Sequence, residues 1–159
     1  MARRIKWQLQ FKSLNGKDCT VNIFKEGYTG QPIQLTGTAD PLPWDEDDSQ
    51  SPTQWVRTKT GYINLVEENA GDLFGLYPAS DTEHYIEAWY GEELEFTGFM
   101  QAIDFSQQYV ASPRELSFPI QSPLALLDSF NFNVRESSVV TFATLMNEVV
   151  SKLNARYER

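Results

Sequence analysis

Three strand-like runs between His84 and Gln121, separated by turn chemistry, lead directly into a proline-marked helix start, and that order constrains the fold of this chain more than any single residue does. His84, Ile86, Ala88 and Tyr90 alternate with Tyr85, Glu87 and Trp89, which puts one set on each face of a sheet. Gly91 breaks the run. Leu94 to Phe105 resumes it through Phe96-Thr97-Gly98-Phe99 and Ile103-Asp104-Phe105, with Gly98 read as a bulge or a point of close backbone approach. After a polar loop carrying Pro113, Leu116-Ser117-Phe118-Pro119-Ile120 reads as a third short strand. Ser122-Pro123-Leu124 then has the chemistry of a helix start: the serine hydroxyl suits a free backbone N–H, and proline suits the first helical position because its missing N–H would be unpaired there.

Upstream, Ile5, Trp7, Leu9 and Phe11 alternate with Lys6, Gln8 and Gln10 and predict a first strand. Asn15-Gly16 predicts a hairpin, since both residues tolerate the positive φ of tight turns. Cys19 to Phe24 is the returning strand, with Cys19, Val21 and Ile23 on one face. Tyr28-Thr29-Gly30 makes a further turn, and Ile33 to Leu35 a short strand. The acidic stretch 40–53, with three prolines and Asp45-Glu46-Asp47-Asp48, predicts a loop. Trp55 to Lys59 and Tyr62 to Glu67 read as a second hairpin divided at Gly61. Asn69 to Tyr77 is a helical turn or compact loop ended by Pro78. Phe142, Leu145, Met146, Val149, Val150 and Leu153 form one helical stripe, which predicts an amphipathic helix over about 138–155. The expected fold class is mainly β (α+β): an antiparallel β-barrel-like domain with one short helix and a C-terminal amphipathic helix, all in one domain over 1–159.

This order resembles the first barrel domain of the bacteriophage tail hub family, the tail-tip or baseplate hubs whose fold is shared with the base of type VI secretion spikes. The residues that carry the resemblance are Phe96-Thr97-Gly98-Phe99, the strand Leu116 to Gln121, the start Ser122-Pro123-Leu124-Ala125-Leu126-Leu127-Asp128, the helix opened by Ser138 or Thr141, and Gln54 to Glu67 as the strand pair that opens the barrel. Each motif is weakly specific, and together they cover roughly the last two thirds of the chain. The resemblance implies a virion structural protein in a phage or prophage tail: a homo-oligomeric ring joining the tail tube to the tip, with tube, spike or tape-measure proteins as partners. It also implies a second barrel after the terminal helix, and nothing belonging to that domain is carried over.

The chain holds 22 acidic and 13 basic residues, a formal net charge of −9, and no basic stripe that would release counterions from a nucleic acid. The hub resemblance implies an acidic surface that lines a DNA passage without sticking to it; the alternative is that the charge only keeps the protein soluble. No window of about 18 apolar residues predicts a membrane span, and Lys6, Gln8 and Gln10 interrupt any apolar core of a secretory signal. One cysteine and one histidine, Cys19 and His84, exclude a structural zinc site built on those residue types. His84 reads as structural or surface, and Cys19 as a small hydrophobe. The acidic run lacks the spacing, central glycine and distal glutamate of a helix-loop-helix calcium site. Glu92, Glu93 and Glu95 beside Gly91 mark a solvated hairpin tip rather than a catalytic pair. No phosphate-cradling glycine pattern occurs.

No catalytic, metal or cofactor residue is therefore assigned, and the expectation is a protein that is not an enzyme. The candidate interface comprises Trp44, Asp45, Glu46, Asp47 and Asp48 with the helix residues Phe142, Met146 and Val150. Trp44, between Pro43 and the acidic run, is either a loop anchor or an exposed hot spot. The alternative function is a carbohydrate-binding or adaptor module on a small β scaffold, using exposed aromatics such as Trp44 or Trp89.

Overall fold

The computed structural model describes residues 3–46, 58–102 and 111–123, together with the helical positions Asn147 and Ser151. Among the described residues eight strands form one sheet: β1 (Arg3–Lys12), β2 (Asp18–Glu26), β3 (Ile33–Leu35), β4 (Trp44–Glu46), β5 (Lys59–Glu67), β6 (His84–Tyr90), β7 (Glu93–Met100) and β8 (Arg114–Gln121). A single 3-10 turn, η1 (Phe74–Leu76), sits between β5 and β6. The sheet order is β3-β1-β2-β6-β7-β8-β5-β4. All neighbours are antiparallel except β1 and β3, which run parallel through Trp7↔Ile33 and Leu9↔Leu35.

The core lies against one face of this sheet. Alternation delivers Trp7 and Leu9 from β1, Val21 and Ile23 from β2, Ile86 and Ala88 from β6, Phe96 from β7, Phe118 and Ile120 from β8, and Ile63 and Leu65 from β5. Leu73 and Leu76 cap it from the η1 region. Each buried Val, Leu, Ile or Phe side chain among them, fully withdrawn from water, favours the fold by about 1.5–3 kcal/mol. The first strand departs from simple alternation. A register shift between Ile5 and Trp7 makes Lys6 the extra residue, so Ile5, opposite Phe24, lies on the face away from Trp7, which is opposite Ile23.

The expected antiparallel barrel is corrected to an open mixed sheet. Its two end strands, β3 and β4, both belong to the segment 33–46, and the middle of that segment, 36–43, runs along β5 without completing a ladder. The reason lies in the prolines. Pro41 and Pro43 have no N–H to give, so their carbonyls only accept, from Asn64 and Tyr62 at 2.9 and 3.0 Å. Two further bonds, Val66 to Thr36 and Thr38 to Asn64, flank the lone bridge Gly37↔Leu65.

Two further expectations change. Gly61 does not divide a hairpin; it lies inside β5, opposite both Trp44 and Ile120. A Cβ there would sit 2.5 Å from the Pro43 carbonyl oxygen and 2.9 Å from the Trp44 Cα, so the missing side chain serves approach of β4 rather than a turn. The acidic stretch likewise contributes the edge strand β4 in place of a loop throughout. The Ser122 hydroxyl accepts the Lys59 N–H at 3.2 Å, and its own N–H reaches the Lys59 carbonyl at 2.8 Å, closing the end of the β5–β8 ladder; the helix expected to start there lies outside the described residues. The turns at Gly16 and Gly91 carry φ of 77° and 64°, in keeping with hairpin ends there. The stretch from 124 and the helix expected over about 138–155 lie outside the described residues apart from Asn147 and Ser151, both helical and exposed. Ile103 to Phe105 and residues 51–57 also lie outside them.

Candidate functional site

The sequence-predicted interface residues that the structure describes meet on β4. Trp44 and Asp45 occupy successive positions of a strand, so they face opposite sides of the sheet. The Trp44 ring packs against the core and stacks on Phe96, with centroids 6.2 Å apart and planes 18° from parallel. The ring is thus the anchor of its segment. Lys59, across the ladder, holds its Nζ 5.8 Å from that ring and donates to the Glu95 carbonyl at 3.4 Å. Asp45 points to solvent. Glu46 completes the strand opposite Lys59. Asp47, Asp48, Phe142, Met146 and Val150 lie outside the described residues.

At the other end of the segment, the seam between β3 and β5 holds a groove of about 320 Å³. Trp7, Leu35 and Leu73 supply apolar lining, and Glu68 and Asp72 supply carboxylates. Ile33 on the β3 edge is 47% exposed. A short strand edge beside a groove of mixed polarity suits backbone pairing with another extended segment.

Beneath the η1 region are the charged groups that pattern reading did not single out. Glu67 has no solvent exposure. Its Oε2 pairs with Arg114 Nε at 2.5 Å, and its Oε1 accepts the N–H groups of Gly71 at 3.0 Å and Leu73 at 3.4 Å. Burial alone would raise its pKa; the Arg114 hydrogen bond and the two amides outweigh that and hold the carboxyl below its usual range. The available signal was parity, since Ile63, Leu65 and Glu67 share one face of β5. The second charged pair is Lys25–Glu83, at 2.8 Å. Burial there too works against the charged form of Glu83, but Lys25 and the Ala79 N–H bring its pKa below the usual value.

His84, expected to be structural or on the surface, is fully buried. Its ring meets Trp7 edge-on at 5.1 Å, and neither ring nitrogen has a hydrogen-bond partner. Burial pushes its pKa down from 6.5 to about 4. The ring is therefore neutral at pH 7. Burial raises the Cys19 thiol, with Asp18 adding to the effect, so the sulfur is protonated and poorly nucleophilic. Among the described residues no group of three or more His, Cys, Asp or Glu is placed to hold a metal ion, and no helix is long and apolar enough to cross a membrane. Trp89 ties its indole N–H to Glu87 at 3.3 Å, and Trp7 is buried.

No family model, curated protein or solved structure matches the chain.

Proposed function

We propose that this chain is a structural component of a phage or prophage tail tip or baseplate, assembling with copies of itself into a ring that joins the tail tube to the tip. The observation that supports this most directly is the adjacency of β7, β8 and β5 in one sheet. Those strands carry Phe96-Thr97-Gly98-Phe99, Leu116 to Gln121 and the run up to Glu67, and Ser122-Pro123 follows at once. Gly98 has the close approach that such a motif needs: a Cβ there would collide with the Gln121 carbonyl oxygen and lie 2.5 Å from the Phe96 ring. The remaining surfaces suit assembly: a short acidic edge at β4, an exposed β3 edge, and a groove with an acidic rim. Its partners on this reading are other tail proteins of the tube, spike or tape-measure type, and its place is the virion tail.

The test is assembly. Native mass spectrometry and negative-stain imaging at high protein concentration, alone and with a tail-tube subunit, should give a closed ring or a stable complex with the tube. A chain that stays monomeric and ignores the tube subunit overturns the proposal. The carbohydrate-binding alternative gains no support from the described tryptophans, which are buried, stacked on Phe96 or tied to Glu87.

A further inference from the structure

We infer that His84 is an acid-sensitive latch: protonating its ring releases the segment 69–78 from Trp7 and so reshapes the groove at the seam. The geometry places the ring where β1, β2 and the η1 region meet. Trp7 lies edge-on to it, and Lys25 of β2 is its ladder neighbour. Gly75 packs over the same tryptophan so closely that a Cβ would lie 3.1 Å from the Trp7 ring and 3.7 Å from Lys6 Nζ. Leu73 and Leu76 share the core cluster with Trp7, and Leu73 and Trp7 both line the groove. Whatever disturbs the Trp7–His84 contact therefore reaches the groove.

An imidazolium is poorly accommodated here. It would present two N–H donors, of which the Gly75 backbone can ease at most one, and neither nitrogen now makes a full hydrogen bond. The charged groups around it come from three places. Lys6 of β1 and Lys25 of β2 oppose a further positive charge, while Glu83, one residue before His84, favours it. Glu83 is already engaged by Lys25 and the Ala79 N–H. The segment 69–78 faces the ring through the Gly75 backbone, which favours the charged form. The ring therefore takes its proton by gaining water, and water enters when the segment lifts. Glu67 keeps the near end of that segment tethered through Gly71 and Leu73, so the motion is centred on η1 and Tyr77.

Linkage sets the size of the response. With the ring at its ordinary 6.5 in the open form and about 4 in the closed one, the open-to-closed ratio gains about tenfold per pH unit over that window, roughly 300-fold in all. Glu67 and Glu83, both lowered from the ordinary carboxylate value, respond on the acid side of the His84 window.

His84 is the one histidine in the chain, so its ring signal in an NMR titration needs no assignment by mutation. Native-state hydrogen exchange, corrected for intrinsic rates, should show protection at the Leu76 and Tyr77 amides falling about 40-fold between pH 6.5 and 4.5. The Ile63 and Leu65 amides, which open only with the whole fold, should lose protection by the same factor, because global unfolding frees the ring equally, but should stay better protected than Leu76 and Tyr77 at every pH; equal protection at the two pairs overturns the latch. In His84→Leu the pH dependence of Leu76 and Tyr77 should vanish. A wild-type ring that titrates near 6.5 while Leu76 and Tyr77 stay protected overturns the latch. So does a fall in protection that His84→Leu reproduces. If the leucine variant does not fold, the wild-type titration and exchange decide the matter alone.

Discussion

A carboxylate without solvent exposure is stable only where its charge is answered, and Glu67 meets that condition through Arg114, Gly71 and Leu73. Replacing Glu67 with alanine strands the Arg114 guanidinium, which is itself only 12% exposed, and frees two amides of the turn before η1. The expected loss is about 3–5 kcal/mol in urea unfolding. Glu67→Gln keeps the shape but not the charge and should lose less; equal stability of Glu67→Ala and the wild type would show that the pair contributes nothing. The pH dependence has a fixed sign. Because the folded-state value is depressed, the contribution of Glu67 is fully present above the ordinary carboxylate value and is lost as pH falls through the lowered one. In Glu67→Gln the unfolding free energy should therefore vary less with pH below 4.5 than in the wild type. His84 acts in a separate window, its contribution being complete above 6.5 and lost as pH falls toward about 4. Both groups were visible to alternation, which puts Glu67 with Leu65 and His84 with Ile86 on inward faces. Their burial was not, because an inward charge is legible only when its partner is known, and Arg114 lies 47 residues away.

At the scale of strands, glycines distinguish what the sequence could say from what it could not. Gly16 and Gly91 turn the chain with positive φ, and the flanking alternation made both turns readable. Gly61 and Gly98 have no such φ; they admit a neighbouring backbone. At Gly98 the neighbouring Phe96-Thr97 and Phe99 run kept the strand assignment intact, whereas at Gly61 the same residue type was read as a break. The difference is tertiary, since only the approach of Pro43 and Trp44 explains Gly61. Gly98→Ala should cost about 1–3 kcal/mol, because the Gln121 carbonyl it would strike belongs to a paired strand and cannot swing aside. Gly61→Ala should displace β4 from β5 and expose Trp44, read as a red shift of indole emission and increased quenching. A variant with unchanged emission and melting temperature at either site would mean the backbone relaxes without cost. Gly30 is the contrast: its crowding comes from the end of the Tyr28 side chain, which can rotate away.

For the whole molecule, the decisive fact is that both ends of the sheet belong to one segment. Composition and alternation predicted a β protein and placed a strand at seven of the eight observed ones; β4, read as loop, the parallel β1–β3 pairing and the failure of closure were not readable. Local pattern says which residues face inward but not which strand lies beside which, and the deciding detail, prolines at 41 and 43 set against β5, only matters once β5 is there. The resulting sheet has a strong side and a weak one. β5 pairs with β8 over eight positions from Thr60 to Glu67, but meets the segment 36–43 through one bridge and a few bonds. Backbone N–H groups alternate in direction along a strand. Those of Tyr62, Asn64 and Val66 reach the seam, so those of Ile63 and Leu65 point to β8. Hydrogen exchange along this single strand should therefore alternate. Tyr62, Asn64 and Val66 should exchange together through a local opening of the seam, while Ile63 and Leu65 exchange only with global unfolding. Uniform rates along β5 would mean that the seam is as strong as the ladder. Assembly supplies a second condition: if a partner adds to the edges of the segment 33–46, the three seam amides should slow toward the rates of their neighbours on complex formation, and a complex that leaves the alternation unchanged would place the interface elsewhere on the sheet.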